Sequence, residues 1–272
     1  MSHDFLYHVS LGVVQGLTEF LPVSSSAHLV ITQNLFGFEE PQLVLDIVLH
    51  LGTLAAVALF LWKEIFDITL GTCKGVAAFV KREAKLFDTY PDFFTGVCVI
   101  VATVPTGLMG VLFKDKFEAM FGSLTMVGFF LLVTGCVLFT TKFVKVIRAK
   151  KLTVFDALII GVAQGIAICP GISRSGITIT SGILRRLDPV FAAKFSFLLS
   201  IPAILGAALL HIKDLHSVPL AGLGYLAAGF LSSAVSGYLS LAVLMRIVKN
   251  FKLYYFSYYC WVLGTAVIMF AK

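Results

Sequence analysis

Eight long apolar segments follow one another along the chain, separated by short stretches that carry most of the charged residues. They cover residues 5–37, 43–62, 93–113, 123–144, 154–184, 190–211, 219–245 and 254–271. Six of them have roughly the length of a helix that crosses about 30 Å of hydrocarbon at about 1.5 Å per residue. The pattern therefore predicts an all-α polytopic membrane protein with six transmembrane helices.

The first and fifth segments are too broken to be ordinary spans. Each contains Gly, Pro and Ser together with a charged or His residue. Such backbone is tolerated at membrane depth only where protein buries it or where it lines a wet cavity. We interpret both as re-entrant segments, in which one half-helix enters the membrane, the chain turns, and a second half-helix leaves.

The two broken segments are also copies of each other. A shift of 149 residues aligns GVVQGLTEFLPVSSS at 12–26 with GVAQGIAICPGISRS at 161–175, with six identities in fifteen positions. Three spans follow each broken segment, and because three is odd, the two halves must insert with opposite orientation. The sequence predicts an inverted-topology repeat within a single membrane domain, with repeat one at 5–144 and repeat two at 154–272. In such folds the binding site lies near the bilayer midplane, where the repeats meet.

The composition agrees with a membrane location and excludes several classes of protein. Hydrophobic residues make up 58% of the chain and charged residues only 13%, about half of their share in a typical soluble domain. The net charge of +6 does not indicate a nucleic-acid partner, because the cations lie in short loops and share no soluble face. The five cysteines include no CxxC pair, so neither a disulfide framework nor a zinc site is indicated.

The loop cations also predict an orientation. With the first broken segment on the outer side, sixteen Lys and Arg residues fall in inner loops and four in outer loops. Because short cytoplasmic loops carry the positive excess, this distribution favours both termini outside. If residues 5–37 formed a single full span, the N-terminus would lie inside and the later loops would keep their sides. The loop cations therefore do not test the re-entrant interpretation, which stays a hypothesis.

The first broken segment holds the chemistry-bearing residues of repeat one. Glu19 is the only carboxylate deep inside an apolar segment, and an ionisable group there is costly enough to indicate a functional site. Gln15 lies four residues earlier, on the same helix face. Three serines follow at 24–26, where a broken turn exposes hydroxyls and N–H donors suited to phosphate. His28 is placed to act as a general acid or base.

The matching turn of repeat two is PGISRSGIT at 170–178. Its hydroxyl groups belong to Ser173, Ser175 and Thr178. Arg174 offers a planar fork suited to bidentate phosphate binding, and as the repeat counterpart of Ser25 it is expected to meet that hydroxyl near the pseudo-two-fold axis. Two structural alternatives are a protonated Glu19 bonded to neighbouring helices and a Glu19–Arg174 salt bridge, which is compatible with catalysis.

Asp46 and His50 lie four residues apart at the start of the second segment. They have two interpretations that the sequence does not separate. Either they support the site from behind, or they are an ordinary helix-start Asp and a cavity-facing His.

The stretches QGLTEFLPVSSSAH at 15–28 and PGISRSGIT at 170–178 closely resemble the two signatures of the bacterial undecaprenyl-diphosphate phosphatase family, also called the bacitracin-resistance family. Length, spacing and hydrophobic plan agree over essentially the whole chain. The resemblance implies an integral membrane enzyme that removes the terminal phosphate of the C55 isoprenoid diphosphate, regenerating the carrier for cell-wall polymers. It further implies a divalent cation, Mg²⁺ or Ca²⁺, a bacterial plasma-membrane location and a site that opens to the outer face. The implied partners are the polyprenyl diphosphate and membrane lipid, and a homodimer is left open.

Carried over by position, the resemblance divides the site residues into two groups. The catalytic residues are Glu19, Ser25, His28 and Arg174, with Glu19 also the metal ligand. The substrate-binding residues are Gln15, Ser24, Ser26, Ser173, Ser175 and Thr178. Many members of the family have Glu at the position of Gln15, so the ionised role falls here to Glu19.

The hypothesis for the reaction is phosphoryl transfer to Ser25, with His28 relaying the proton. Direct attack by water is one rival, and an exchange of roles between Ser24 and Ser25 is another. A transporter or lipid flippase is the alternative function, because inverted repeats and a midplane Glu/Arg site suit a carrier as well. The hydroxyl and Arg set favours the enzyme modestly, and the family signatures favour it strongly.

Overall fold

The computed structural model of the protein describes residues 2–38, 42–83, 86–144, 149–210 and 222–271, without the side chains of 2–4. Every regular element in these ranges is a helix, which confirms the all-α fold class. The elements are α1 (Ser2–Phe20), α2 (Ser25–Leu35), α3 (Leu43–Phe60), α4 (Trp62–Val80), α5 (Leu86–Thr89), α6 (Pro91–Leu112), α7 (Lys114–Phe121), α8 (Leu124–Thr140), a 3₁₀ turn (Thr141–Phe143), α9 (Val154–Ile166), α10 (Arg174–Leu184), α11 (Pro189–Leu210), α12 (Leu223–Lys249) and α13 (Tyr255–Phe270).

Five of the described helices are long and apolar enough to cross a membrane. They are α3, α6, α8 with its 3₁₀ turn, α11 and α12, and each corresponds to one predicted span. The sixth predicted span is α13, whose 16 residues reach about 24 Å at about 1.5 Å per residue. The protein is therefore a polytopic membrane protein. The predicted segment ends at 211 and 219–221 lie outside the described residues.

A further helix, α4, lies where the sequence predicted an inner loop. It begins after the single residue Leu61 and packs against α6, where Gly75 leaves room for the ring of Phe93. Charged residues such as Lys63 and Glu64 interrupt its apolar pattern. A search for unbroken apolar runs misses an amphipathic helix of this kind.

Both broken segments fold as helix, turn and helix. The second helices, α2 and α10, have eleven residues each and begin 149 positions apart, at Ser25 and Arg174. The preceding residues, Ser24 and Ser173, cap them, because each Oγ accepts from the backbone N–H three residues further on, at 3.4 and 3.1 Å. The division into repeats at 5–144 and 154–272 stays a prediction, but both second helices begin with the same kind of serine cap.

Small residues fix the first helix of each broken segment. Gly12 and Gly16 of α1 lie against α12, and a Cβ on Gly12 would come within 2.4 Å of a backbone carbonyl oxygen of α12. Their counterparts Gly161 and Gly165 of α9 lie against α6, and a Cβ on Gly161 would be 2.2 Å from the carbonyl oxygen of Ala102. Small residues four apart let membrane helices approach this closely. Each first half-helix thus packs on a helix of the other predicted repeat.

The buried carboxylate of Asp156 joins the start of α9 to the end of α10 by hydrogen bonds. Its Oδ1 accepts from Lys150 Nζ and Arg185 Nε, at 2.7 Å each. Its Oδ2 accepts from the hydroxyl of Thr153 at 2.7 Å and from the N–H of the same residue at 3.1 Å. Because Arg185 follows α10 and Asp156 lies in the first turn of α9, this network links the two half-helices at the ends away from their turn.

Candidate active site

Glu19, near the end of α1, is the centre of the site. Its side chain is buried, and its Oε1 accepts from Arg174 Nη2 at 2.5 Å. Its Oε2 accepts from the hydroxyl of Ser25 at 2.5 Å and from the amide of Gln15 at 3.0 Å. One carboxylate thus joins a residue from each turn, and the expected meeting of Ser25 and Arg174 takes place through Glu19. The predicted salt bridge is present as well.

The two turns also contact each other directly. Ser175 Oγ donates to the carbonyl of Leu21 at 3.5 Å, and the N–H of Gly171 donates to Ser26 Oγ at 3.5 Å. Gly171 has φ +104°, and a Cβ there would lie 2.5 Å from the carbonyl oxygen of Val127. Only glycine fits this conformation and this approach, so the close fit of the second turn against α8 depends on it.

Thr134 of α8 holds the second turn in place. Its hydroxyl donates to the carbonyl of Gly171 at 2.8 Å and accepts from the N–H of Ser173 at 3.0 Å. The residue is buried and acts through the turn backbone. Sequence reasoning missed it, because a lone threonine in an apolar span resembles any small core residue.

A cavity of about 330 Å³ adjoins this arrangement. Five predicted site residues line it: Glu19, Ser25, Ser26, Ser173 and Arg174. Most of the remaining wall is apolar and includes Leu43, Ile47, Ile168, Ile172, Ala203 and Ile204. A cavity that combines an ion pair and hydroxyl groups with a largely apolar lining suits an amphiphile with an anionic head and a hydrocarbon tail.

The other five predicted site residues do not line this cavity. They are Gln15, Ser24, His28, Ser175 and Thr178. Gln15 lies behind Glu19, Ser24 caps α2, and Ser175 bonds the opposite turn. For these residues the described contacts are structural, and contact with substrate stays a prediction.

Thr178 supports the guanidinium of Arg174 through an intermediate residue. The hydroxyls of Thr178 and Ser196 are 2.6 Å apart, and the carbonyl of Ser196 accepts from Arg174 Nη1 at 3.3 Å. Ser196 lies on α11 and was not predicted as a site residue. Its carbonyl holds Nη1 of the Arg174 guanidinium. The other terminal nitrogen, Nη2, is paired with Glu19.

His28 makes its contacts away from Ser25. Its Nδ1 lies 2.7 Å from the carbonyl of Ser24, and its Nε2 lies 2.7 Å from the hydroxyl of Tyr259, whose ring stacks on the imidazole. A carbonyl only accepts, so Nδ1 carries a hydrogen and, in the neutral ring, Nε2 accepts from Tyr259. No described contact joins this imidazole to Ser25, and its relay role stays a prediction.

His50 of α3, in contrast, lines the cavity and faces Glu19. Its Nε2 lies 3.6 Å from Glu19 Oε2, and its side chain is 30% exposed. Its Nδ1 lies 2.7 Å from the carbonyl of Asp46, so the hydrogen is on Nδ1 and the lone pair of the neutral ring is on Nε2. Asp46 lines the cavity too, with Oδ1 accepting from Gln33 at 2.6 Å. Of the two interpretations of this pair, the geometry favours support for the site.

The donors around Glu19 do not fit a cation held by that carboxylate. Both of its oxygens already accept from Arg174, Ser25 or Gln15, and an adjacent guanidinium repels a second cation. Within the described ranges, no three His, Cys, Asp or Glu side chains come together as a metal-binding group. The metal-ligand role of Glu19 therefore finds no support in its contacts.

Comparison with known proteins agrees with the two sequence signatures. The family model described as Bacitracin resistance protein BacA matches residues 8–266. A protein named undecaprenyl-diphosphatase from Methanosphaera stadtmanae is 44% identical over 275 residues, which cover 98% of each chain. Proteins of the same name from Alkaliphilus metalliredigens and Halothermothrix orenii are 44% and 41% identical. The first alignment covers 97% of both chains, and the second covers 97% of this chain and 96% of the relative.

Proposed function

The chain belongs to the family of the bacitracin resistance protein BacA, and we infer that it is an undecaprenyl-diphosphatase. This integral membrane hydrolase converts undecaprenyl diphosphate to undecaprenyl phosphate and inorganic phosphate, and so recycles the lipid carrier. The observation that carries the proposal is the pairing of Ser25 and Arg174, from two different turns, with the single carboxylate of Glu19 at a cavity wall. The transporter alternative is not favoured, since the relatives carry the name of a hydrolase.

The cavity sets how much of the lipid enters the protein. Its volume of about 330 Å³ lies near the lower end of the range for small-ligand pockets, about 300–1,000 Å³. That volume suits the diphosphate and the first part of the tail, with the headgroup at Arg174 and the tail along the apolar wall. The rest of a C55 chain then stays in the surrounding lipid.

Ser25 is the proposed nucleophile. Its Oγ forms a bond to the terminal phosphorus, and the bond from that phosphorus to the bridging oxygen breaks, with the electron pair leaving on undecaprenyl phosphate. The proton of Ser25 passes to Glu19 Oε2, which already accepts the hydroxyl hydrogen bond. Glu19 gives this proton to the departing undecaprenyl phosphate and is again a carboxylate. Water then hydrolyses the phosphoserine, and its proton passes to Glu19 and from there to Ser25 Oγ as the bond from phosphorus to that oxygen breaks.

Ser24 is a poorer nucleophile in this geometry. It is buried at φ +68°, caps α2 and does not line the cavity. Ser25, one residue later, is partly exposed there and bonded to a base. The contacts therefore support Ser25 in the exchange of roles that the sequence leaves open.

Arg174 supplies the charge for the transferred phosphoryl group. Catalysis of phosphoryl transfer rests mainly on positioning and on neutralising charge at the oxygens of the group. Arg174 uses Nη1 and Nη2 to bond Ser196 and Glu19. No other residue in the described part of the chain accepts from its remaining N–H groups, which can donate to phosphate oxygens. The backbone N–H groups at the start of α2 add donors from the other turn.

Four further features belong to the proposal: a divalent cation, a plasma-membrane location, a site open to the outer face, and a homodimer. Mg²⁺ and Ca²⁺ take oxygen ligands, and Mg²⁺ is commonly held by substrate phosphates with one or two carboxylates. The ion is not assigned to any step above. The distribution of loop cations supports an outward-facing site.

Phosphate release from C55 diphosphate tests the function. Detergent-purified protein is incubated with the lipid in Mg²⁺, in Ca²⁺ and after chelation, and inorganic phosphate is measured. We expect metal-dependent release by the wild type and a loss of about 10²-fold or more in Ser25→Ala. The matched variant Ser24→Ala should retain more activity, since it loses a helix cap and no nucleophile.

Two outcomes would contradict parts of this scheme separately. No phosphate release from well-folded wild-type protein would overturn the phosphatase assignment, and lipid translocation in vesicles would be measured next. Appreciable activity in Ser25→Ala would remove the covalent route and leave direct attack by water. Acid-quench mass spectrometry of the wild type should find phosphate on the peptide that contains Ser25.

A further inference from the structure

Gln164 of α9 lines the same cavity and has an acceptor that no described residue satisfies. The residue is 2% exposed. Its Nε2 donates to Thr106 Oγ1 at 3.3 Å and to the carbonyl of Leu199 at 3.4 Å, while its Oε1 has no hydrogen-bond partner. Because a carbonyl cannot donate, the contact with Leu199 fixes which end of the amide is nitrogen. The unpaired atom is therefore the oxygen.

An unpaired buried acceptor next to a cavity requires an explanation. Most buried polar groups in proteins are paired, since an unmade hydrogen bond forfeits the solvation of the group. Three other buried side-chain atoms in the described part of the chain also lack partners, on Tyr7, Gln15 and Thr180. None of those three residues lines the cavity. Gln164 alone among the four is placed where a bound molecule can supply the missing donor.

The missing donor is most simply a water molecule. The oxygens of a diphosphate are acceptors near neutral pH and do not pair with a carbonyl oxygen. Water has two hydrogens, and the water consumed in hydrolysis must turn its lone pair to phosphorus and its hydrogens to acceptors in the wall. A glutamine that orients an attacking water is a recurring component of phosphoryl-transfer sites.

We propose that Gln164 positions the hydrolytic water, an inference that rests on the proposed phosphatase function. The water donates one hydrogen to Gln164 Oε1, and its other proton passes to Glu19, which is a carboxylate again because it has released the proton of Ser25 to the departing undecaprenyl phosphate. The water oxygen forms the new bond to phosphorus. The bond from phosphorus to Ser25 Oγ breaks, the electron pair stays on that oxygen, and Glu19 returns a proton to it.

Competition between water and methanol tests this role. Hydrolysis of C55 diphosphate is run in dilute methanol, and inorganic phosphate and methyl phosphate are measured by ³¹P NMR. Methanol has one O–H hydrogen, which goes to the base, so it does not need the acceptor of Gln164. Gln164→Met keeps the side-chain length without the acceptor. It should lower kcat by about 10²-fold, as expected for a misplaced reactant, leave KM within about twofold, and raise the ratio of methyl phosphate to phosphate.

A second variant and a control keep the test decisive. Gln164→Asn keeps the amide but withdraws it by one methylene, so it should raise the same product ratio even if the Met variant folds poorly. Thr180→Val removes another buried, unpaired hydroxyl away from the cavity, and it should change neither kcat nor the ratio.

The failures are distinguishable. A wild type that releases no phosphate refutes the phosphatase function itself. If the wild type hydrolyses the lipid but both Gln164 variants keep the wild-type product ratio, the water-positioning role is overturned, whatever happens to kcat. A rise in KM alone would make Gln164 a substrate contact and would also overturn the role.

Discussion

The buried pair of Glu19 and Arg174 allows stability and catalysis to be separated by experiment. The two side chains are 6% and 16% exposed, and Nη2 bonds Oε1 directly. In Arg174→Ala the Glu19 carboxylate keeps the hydrogen bonds from two neutral donors, Ser25 and Gln15. Nε2 of His50 lies 3.6 Å from Glu19 Oε2. Removing one partner of a buried ion pair costs about 3–5 kcal/mol, because the remaining charge is buried and uncompensated. At about 2–4 °C per kcal/mol, the Tm should fall by about 6–20 °C.

The double variant Glu19→Gln, Arg174→Ala removes the uncompensated charge. Replacing a whole buried pair by neutral groups is often close to neutral in stability. Gln at position 19 can still accept from Ser25, and the double variant should therefore regain more than half of the lost Tm. Neither variant should release phosphate from C55 diphosphate, because Arg174 is needed to neutralise the transferred group.

Thermal unfolding followed by the fluorescence of the two tryptophans measures the effect in detergent. Wild type, both single variants and the double variant form a complete cycle, from which the coupling energy of the pair is obtained. If Arg174→Ala has the same Tm as the wild type, the claim that the ion pair stabilises the fold is refuted. A double variant that melts no higher than Arg174→Ala would refute the stated cause, and one that hydrolyses the lipid would remove Arg174 from the chemistry.

Two further predictions concern the histidines and the helix contacts. His50→Ala should lose activity that added imidazole partly restores, because its ring lines the cavity. His28→Ala should lose activity without such rescue, because its ring is held behind the cap of α2, and the opposite pattern in a phosphate-release assay would make His28 the proton relay. Gly161→Ala should lower the Tm by separating α9 from the backbone of Ala102, at a cost of about 1–3 kcal/mol. Gly107→Ala on α6, whose Cβ would meet nothing within 4 Å, should leave the Tm unchanged or raise it, and an equal loss in both variants would contradict the packing argument.

The local parts of this structure were predictable because their causes are local. Serine caps, glycine turns and apolar periodicity act over a few residues, so the breaks before Ser25 and Arg174 could be located from sequence. The repeat added one long-range relation, the pairing of the two turns. It brought Ser25 and Arg174 to the same place, and the sole deep carboxylate, Glu19, was then the natural partner.

The parts that the sequence does not determine depend on how separate helices rotate and pack. His28 lies one helical turn after Ser25 and His50 one turn after Asp46, and only packing decides which imidazole lines the cavity. Thr134 acts on a turn almost forty residues away through backbone contacts. Gln164 was visible as part of the repeat, but only its contacts with Thr106 and Leu199 show which end of its amide is the unpaired oxygen. No spacing rule contains such information.

The chemistry arises where the two similar turns differ. At the 149-residue shift the counterpart of Glu19 is Ile168, and the counterpart of Ser25 is Arg174. Had both turns kept a carboxylate, two like charges would face each other at low dielectric, and one would have to be neutralised. With one carboxylate, one hydroxyl and one guanidinium, the two serine-capped breaks instead give a base, a nucleophile and a cation on one cavity. The same asymmetry changes the partners of the two glutamines: the amide nitrogen of Gln15 donates to Glu19, whereas that of Gln164, with Ile168 in the place of a carboxylate, donates to Thr106 and Leu199.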